Sequence, residues 1–286
     1  MKNQHSSHLI QLALATLFIS ASGALGKFID MPTPVVIWWR SILGALFLLG
    51  FCFYKKFNLK IYSKQDALSI FISSLLMGGH WIFYFYSLKL SNVAIGMLSL
   101  FVFPIFTAFL EPLFLKTKFD PIYIFLGLMV LTGMYIMAPE FSLENTYFKG
   151  ILFGLSSALC YALRNIISKK LTSGYNGTQI MYYQASILSV LLFPVLFFMD
   201  TSNIVTQYPY VILLAIVVTA IGHTMLINSL KHFSVSTASI INSVQPIFGI
   251  IIAFVFLNEV PNTNTFIGGA LILATVLIES VRSRQR

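Results

Sequence analysis

Long runs of apolar residues, separated by short polar gaps, dominate this chain. A run of about 20 apolar residues forms a helix long enough to cross the ~30 Å hydrocarbon core of a bilayer. Such a helix also satisfies its own backbone hydrogen bonds, as lipid requires. The pattern therefore predicts an all-α polytopic membrane protein with ten transmembrane helices. The predicted spans cover residues 9–27, 34–54, 66–88, 92–115, 121–139, 148–170, 178–199, 209–229, 235–256 and 262–281.

The composition agrees with this class. Only 9% of the 286 residues are charged and 57% are hydrophobic, whereas soluble domains carry about 25% charged residues. The gaps between spans are short, so we expect no separate soluble domain. Cys52 and Cys160 both fall within predicted spans, and they predict neither a disulfide framework nor a metal site.

Basic residues fall mainly in alternate gaps, and this bias predicts the orientation. By the positive-inside rule, both termini are expected in the cytoplasm and the protein in the cell (inner or plasma) membrane. The net charge of +9 follows from the same bias, so we expect no nucleic-acid partner. The cytoplasmic gaps hold Lys2, Lys55, Lys56, Lys60, Lys64, Lys116, Lys118, Lys169, Lys170, Lys231, Arg282, Arg284 and Arg286, and the outer gaps hold Lys27, Lys89 and Lys149.

The second half of the chain repeats the first at a constant offset of 142 residues. Pro104-Ile105-Phe106 matches Pro246-Ile247-Phe248, and no gap is needed across residues 87–127. A weaker alignment, at a different offset, sets Ala24-Leu25 against Ala162-Leu163.

The repeat predicts two domains of five spans each, residues 1–144 and residues 145–286. Because five is an odd number, the two copies are expected to insert with opposite orientations. Inverted repeats of this kind recur in secondary transporters, although channels also contain them.

One segment of the second repeat resembles a known transporter family. Residues 242–259 read NSVQPIFGIIIAFVFLNE, Gly268-Gly269 follow in the last span, and Arg40 lies in the second span. On these residues the chain resembles the drug/metabolite transporter superfamily, specifically its ten-span members built from two EamA domains. Asn258 stands where such proteins usually have Gly, and the first repeat has no matching Glu. A role for that Glu is therefore carried over to Glu259 alone.

The resemblance implies a secondary transporter without cofactors that exports small polar metabolites, with amino acids as the leading guess. It also implies a cavity lined by spans one, three, four, six, eight and nine. The expected partners are the lipid bilayer, a small-molecule substrate and a proton as the candidate coupling ion. The substrate, the direction of transport and the oligomeric state stay open.

Polar and aromatic residues within the spans are the candidates for substrate binding. His80 and His223 occupy related positions in the two halves, and a histidine can take up a proton near neutral pH. The ninth span carries the densest polar stripe, which helix–helix packing also explains. The candidate substrate-binding residues are His80, Trp81, Tyr84, Tyr161, His223, Asn242, Ser243 and Gln245.

Ionisable residues and prolines within spans are candidates for gating or structural roles, because a charge at bilayer depth needs a partner or water. Arg40 is expected ~9 Å from the outer surface, at 1.5 Å per residue. It is either an interfacial anchor or a gate or anion-binding group. Glu111 and Arg164 are expected to form a structural ion pair, with gating or proton coupling and simple exposure at the interface as the alternatives. The gating or structural set is Arg40, Pro104, Glu111, Arg164, Pro246 and Glu259.

Two other functional classes are kept as alternatives, a facilitative pore or channel and, less favoured, a membrane-embedded enzyme. The chain has no HExxH, no GxxxxGK[ST] and no GxSxG sequence. These motifs mark zinc proteases, nucleotide-binding loops and serine hydrolases. The sequence therefore predicts no enzymatic activity, no direct use of ATP and no metal site.

Overall fold

The computed structural model describes residues 2–115, 121–137, 142–242 and 244–283, and all regular structure within these residues is helical. The predicted all-α class is confirmed. The first five helices are α1 (Lys2–Phe28), α2 (Thr33–Tyr54), α3 (Lys64–Leu90), α4 (Val93–Leu100) and α5 (Phe103–Leu115). The next five are α6 (Ile122–Met137), α7 (Thr146–Leu171), α8 (Gly177–Leu191), α9 (Val195–Phe198) and α10 (Ile204–Leu213). A π-helix (Leu214–His223) leads into α11 (Thr224–Ser229), α12 (Val235–Asn242), α13 (Gln245–Leu257) and α14 (Thr263–Ser283).

Seven helical stretches are long and apolar enough to cross a membrane. Three shorter apolar helices lie at Ile122–Met137, Gln245–Leu257 and Thr263–Thr275, where the fifth, ninth and tenth spans were predicted. The first of these has 16 residues, about 24 Å of helix, which falls short of the ~30 Å hydrocarbon core. The described residues thus support a multi-pass membrane protein, and the count of ten spans is not confirmed.

Two of the predicted spans are interrupted at corresponding places. Two residues separate α4 from α5, and two residues separate α12 from α13. The bounds of these four helices differ by 142, the offset found in the sequence. Pro104 and Pro246 each lie at the start of the second segment, where a helix does not need the missing N–H group. The prolines therefore begin a new helix instead of kinking a continuous one.

Two half-buried lysines bind helix ends at corresponding places. The Nζ of Lys27 donates hydrogen bonds to the carbonyl oxygens of Leu88 and Ser91, both at 2.8 Å, where α3 ends. A cation is favourable there because the last carbonyls of a helix lack partners and carry partial negative charge. The residues 142 positions later repeat the arrangement after α11, with distances of 2.6 and 3.0 Å: Lys169, Leu230 and Phe233.

These lysines extend the offset of 142 back to the end of the first span. Under that offset Lys27 corresponds to Lys169, so the weaker alignment of Ala24-Leu25 with Ala162-Leu163 is wrong. The apolar bias of the spans makes such short matches easy to obtain by chance. The division into residues 1–144 and 145–286 stays a prediction.

The helices pack tightly on one another and present apolar side chains outward. α3 lies along α7, α2 along α8, and α1 against α13 and the π-helix. α6 and α14 cross where Gly133 and Gly268 meet, so closely that a Cβ on either would clash with the opposite carbonyl oxygen. Phe53, Phe198 and Phe256 are among the large apolar side chains on the outside. Such a surface suits contact with lipid chains.

Candidate functional site

A small polar cavity lies among the helices, with room for about one water molecule. Its walls come from α1, α3, α4, α7, the π-helix and α13, which occupy the first, third, fourth, sixth, eighth and ninth predicted spans. Those are the six spans expected to line a cavity. The lining residues are Ile19, Ser22, His80, Trp81, Tyr84, Met97, Leu100, Tyr161, His223 and Gln245.

The structure brings six of the eight substrate-binding candidates to this cavity: His80, Trp81, Tyr84, Tyr161, His223 and Gln245. Asn242 lies next to them, since its Nδ2 is 3.5 Å from the hydroxyl of Tyr161. Its Oδ1 accepts a hydrogen bond from Thr16 at 2.9 Å, which ties α12 to α1. Ser243 lies outside the described residues. That these residues bind substrate stays a prediction.

His80 is held in a defined orientation by α7. Its Nδ1 lies 2.8 Å from the Oγ of Ser157, and that hydroxyl donates its hydrogen to the carbonyl oxygen of His80 at 2.8 Å. A serine has a single hydroxyl hydrogen, so in this arrangement its Oγ accepts from Nδ1 of His80. The ring also stacks on Tyr161, with centroids 4.3 Å apart.

His223 lies at the end of the π-helix, a rare geometry that is frequent at functional sites. One turn earlier the hydroxyl of Thr219 donates to the carbonyl of Leu214, five residues back. The ring of His223 lies 5.7 Å from that of Trp81 and 6.4 Å from that of Tyr161. The two histidines therefore face one aromatic cluster built from both halves of the chain.

Arg40 is fully buried, one side chain behind the cavity wall. Its guanidinium carbon lies 3.8 Å from the ring centroid of Trp81, a cation–π contact. Its Nε donates to the hydroxyl of Thr219 at 2.5 Å. The prediction of an interfacial anchor is wrong, because α2 packs against α8 and the π-helix and shields this side chain from the surface. The alternative, a gate or anion-binding group, stays a prediction.

Several hydrogen-bond donors around the cavity have no partner. Both terminal nitrogens of Arg40, Nη1 and Nη2, lack one, as do Trp81 Nε1 and Gln245 Nε2. Each of these four atoms can only donate. Nδ1 of His223 is unpartnered as well. Buried polar groups without partners are uncommon in native structures, and five such atoms lie on this cavity or directly behind its wall.

Arg164 is equally buried but fully engaged. Its Nε and Nη2 donate to Oε1 of Gln184, at 3.1 and 2.6 Å, and its Nη1 donates to Oδ1 of Asn165 at 3.0 Å. The amide nitrogen of Gln184 then donates to the hydroxyls of Ser73 and Ser168. The network joins α3, α7 and α8.

The predicted ion pair between Glu111 and Arg164 is wrong, because the guanidinium donates to neutral amides instead. Glu111 is buried on α5 and interacts electrostatically with Lys169. That lysine is the one that binds the carbonyls after α11. The carboxylate therefore lies by a helix end rather than beside the arginine.

Glu259 interacts with Lys27, the lysine that binds the end of α3. Its Oε2 accepts a hydrogen bond from the backbone N–H of Val93 at 2.7 Å, at the start of α4, and it interacts electrostatically with Lys27. Asn258 precedes it with φ 54° and ψ 27°, a left-handed conformation. Asn tolerates this conformation better than other non-glycine residues, so it can replace the usual Gly. Glu259 thus joins α13 to α4 and α1.

Sequence reasoning missed Thr219, Gln184 and the lysine pair as functional or structural positions. The lysines had a usable signal, the offset of 142. Gln184 had none, because it lies 20 residues from Arg164 on another helix and only packing brings the two together. Thr219 had none either, because only packing brings its hydroxyl to Arg40, 179 residues away.

Proteins similar to this chain are described as transporters. A protein of Archaeoglobus fulgidus described as an uncharacterized transporter is 27% identical over 93% of this chain and 94% of its own length. The pseudopaline exporter CntI of Pseudomonas aeruginosa is 23% identical over 95% of both chains. An S-adenosylmethionine uptake transporter of Rickettsia conorii is 24% identical, over 92% of this chain and 89% of its own.

A solved crystal structure shares the fold. It superimposes with a TM-score of 0.73 over 98% of both chains, at 17% sequence identity. At that identity the likeness concerns the fold alone.

The sequence profile of the EamA-like transporter family matches this chain twice, at residues 6–138 and at residues 148–281. Together the two matches cover most of the chain. The family and the relatives are transporters rather than enzymes, which confirms the prediction that the protein is not an enzyme. The chain belongs to the EamA-like transporter family.

Proposed function

We propose that the protein is a secondary transporter that exports amino acids or similar small polar metabolites by alternating access. In this proposal ten spans form two inverted five-helix repeats in the cell membrane, with both termini in the cytoplasm. The observation that carries it is the central polar cavity. Six separate spans contribute to it, and it brings buried histidines, tyrosines and a glutamine from both halves of the chain to one place.

The small volume of the cavity supports a carrier over a pore. A channel needs a continuous aqueous path, whereas a carrier passes through states in which the site is closed from both sides. A cavity that holds about one water molecule, with half-buried lysines binding a helix end in each repeat, fits such a closed state. A facilitative pore remains the second candidate, favoured only if transport fails to saturate.

The proposed direction of transport is export. The relatives include one described as an exporter and one described as an uptake transporter, so the name of a relative does not assign it. We favour export on the resemblance of the Asn242–Glu259 segment to exporters of the superfamily. A proton, taken up by His80 or His223, is the proposed coupling ion.

The test is counterflow in proteoliposomes loaded with a mixed panel of amino acids and small metabolites. Saturable exchange of a labelled solute is expected in the wild type, and His80→Ala and Gln245→Ala should each lower it about 10-fold or more. The matched controls are His232→Ala and Gln207→Ala, which change the same residue types away from the cavity and should exchange normally.

Three results would count against parts of this proposal. Normal exchange in both cavity variants would remove the cavity as the site. A flux that stays linear with concentration would favour the pore. No internal pH change during uptake against a solute gradient, read with a trapped fluorescent pH indicator, would remove the proton as coupling ion.

A further inference from the structure

We infer that the transported solute carries net negative charge, most simply a carboxylate without a balancing ammonium group, and that Arg40 is the charge it neutralises. The inference rests on the proposed function and names the substrate class for the same cavity. It narrows the range from amino acids and similar metabolites to organic anions.

The first support is a charge imbalance. Arg40 and Arg164 are both fully buried, and each is connected to residues of the cavity wall. Arg40 contacts Trp81 on one wall, and Arg164 bonds Asn165, which is hydrogen-bonded to Tyr161 on another. Buried charges in a membrane protein are expensive unless an opposite charge or water compensates them.

No acidic side chain compensates them within the part of the chain that the structure describes. Asp30, Asp66, Glu144, Asp200 and Glu259 are not buried, and the buried Glu111 interacts with Lys169. Neither arginine forms a hydrogen bond to a carboxylate. The field at the cavity is therefore positive, and a low-dielectric surrounding strengthens it.

The second support is the kind of hydrogen-bonding group left over. The unpartnered atoms Nη1 and Nη2 of Arg40, Nε1 of Trp81 and Nε2 of Gln245 are all donors. A carboxylate is an acceptor with about four lone-pair sites, and a guanidinium fork matches it in geometry. A zwitterion would also place its ammonium group in this positive field, where the described cavity wall offers neutral acceptors but no acidic residue.

Trp81 connects these two observations. Its ring covers the guanidinium of Arg40 at 3.8 Å and itself lines the cavity. A rotation of the indole would open the two free nitrogens of Arg40 to an anion in the cavity. The cation–π contact then stabilises the charge of Arg40 while no solute is bound.

The fluorescence of Trp81 also provides a test of the inference. The chain has three tryptophans, so Trp38→Phe with Trp39→Phe leaves Trp81 as the single indole. The probes are N-acetyl-L-leucine, L-leucine and L-leucinamide, which share a side chain and carry charges of about −1, 0 and +1 at neutral pH. Succinate and inorganic phosphate extend the set of anions. The purified full-length protein is titrated with each probe while the fluorescence of Trp81 is followed.

A saturable change with N-acetyl-L-leucine or succinate, absent with L-leucinamide and at least 10-fold weaker in apparent affinity with Arg40→Gln, is the expected result. Arg40→Lys keeps the charge and should keep the preference for anions, which guards against an Arg40→Gln variant that fails to fold. An equal response to L-leucine, an unchanged response in Arg40→Gln, or no response to any anion would each overturn the inference.

Counterflow separates this inference from the proposed function. Exchange of solutes without preference for anions would overturn the anion site and leave the transporter standing. Absence of all exchange, with an intact fluorescence response to anions, would overturn the transporter and leave the anion site.

Discussion

Arg40 and Arg164 are chemically identical, fully buried and close to the same cavity, yet their surroundings differ in one respect. Arg164 uses all three of its donor nitrogens on the amide oxygens of Gln184 and Asn165. Arg40 uses only Nε, which donates to the hydroxyl of Thr219, and its guanidinium makes a cation–π contact with Trp81. The comparison teaches that burial alone does not assign a role to a membrane arginine. The donors that remain without a partner distinguish a structural guanidinium from one available to a ligand.

The largest expected effect is on stability, at Arg164. Arg164→Met leaves the buried oxygens of Gln184 and Asn165 without donors, at a cost of about 1–3 kcal/mol for each group. We expect the free energy of unfolding to fall by about 2–6 kcal/mol. Unfolding in detergent can be followed with a thiol-reactive dye, because the reporter thiol of Cys52 is fully buried in the native state. An unfolding midpoint equal to that of the wild type would remove the structural role of Arg164.

The second expected effect is on transport, at Arg40. Arg40→Met removes a buried charge that has no counter-charge, which is favourable, and it removes the cation–π contact with Trp81, which is unfavourable. Because the two effects oppose each other, the free energy of unfolding should change by less than about 1 kcal/mol. Exchange of the anionic solute should fall at least about 10-fold, since a hydrogen bond to a charged group is worth about 1.5–3 kcal/mol. The same dye assay and a counterflow assay check the two parts. A variant that unfolds as easily as Arg164→Met would erase the distinction between the arginines.

A smaller effect is expected at the ring between Arg40 and the cavity. Trp81→Phe keeps an aromatic face under the guanidinium but deletes the Nε1 donor, a loss of about 1 kcal/mol for one hydrogen bond. We expect the apparent affinity for the anion to fall about 5-fold, with the unfolding midpoint unchanged. Trp39→Phe is the matched control, because Trp39 does not line the cavity. Equal effects in the two variants would make Trp81 an ordinary packing residue.

The smallest expected effect concerns His232. Its titration determines the pH range in which the stabilities of the arginine variants should be compared. Although its side chain is exposed, local desolvation, then His8, Lys231 and Lys169, lower the pKa of His232 below its ordinary value of 6.5, and its ring stacks on that of His8. The folded protein therefore favours the neutral ring. Its stability is intact above pH 6.5 and falls on acidification, as the unfolded state binds the proton first.

His232→Gln should slightly reduce the loss of stability on acidification and leave the free energy of unfolding above pH 7 unchanged. Unfolding midpoints measured between pH 5 and pH 8 check it. If the unfolding midpoint of the variant falls as steeply with decreasing pH as that of the wild type, the titrating groups are others than His232.

The interrupted helices were within reach of sequence reasoning, and the partners of the arginines were not. The offset of 142 and the matching prolines mark where α4 and α12 end, because a proline is favoured in the first turn of a new helix. Arg164 was expected to pair with Glu111 because charge is the property most visible in an apolar sequence. Its real partners are amides on neighbouring helices, and only tertiary packing determines which of many polar residues face a given guanidinium.

The burial of Arg40 shows the same limit. Counting residues from the end of a span gives depth along the membrane normal, but not whether the side chain points to lipid or to protein. Six of the eight residues predicted to bind substrate do converge on one cavity, because polar side chains in a membrane bundle turn inward whatever their final role.

The lysines that bind helix ends bear on how the chain finds its topology. Lys27 and Lys89, two of the three basic residues predicted on the outer face, both donate to backbone carbonyls, Lys89 to that of Met31. An ammonium group bound in this way serves the folded bundle, whichever leaflet it faces. In the predicted topology these two residues are therefore exceptions to the positive-inside rule, and their exception has a structural cause. The orientation of this chain should be read from the basic residues that its fold leaves unbound.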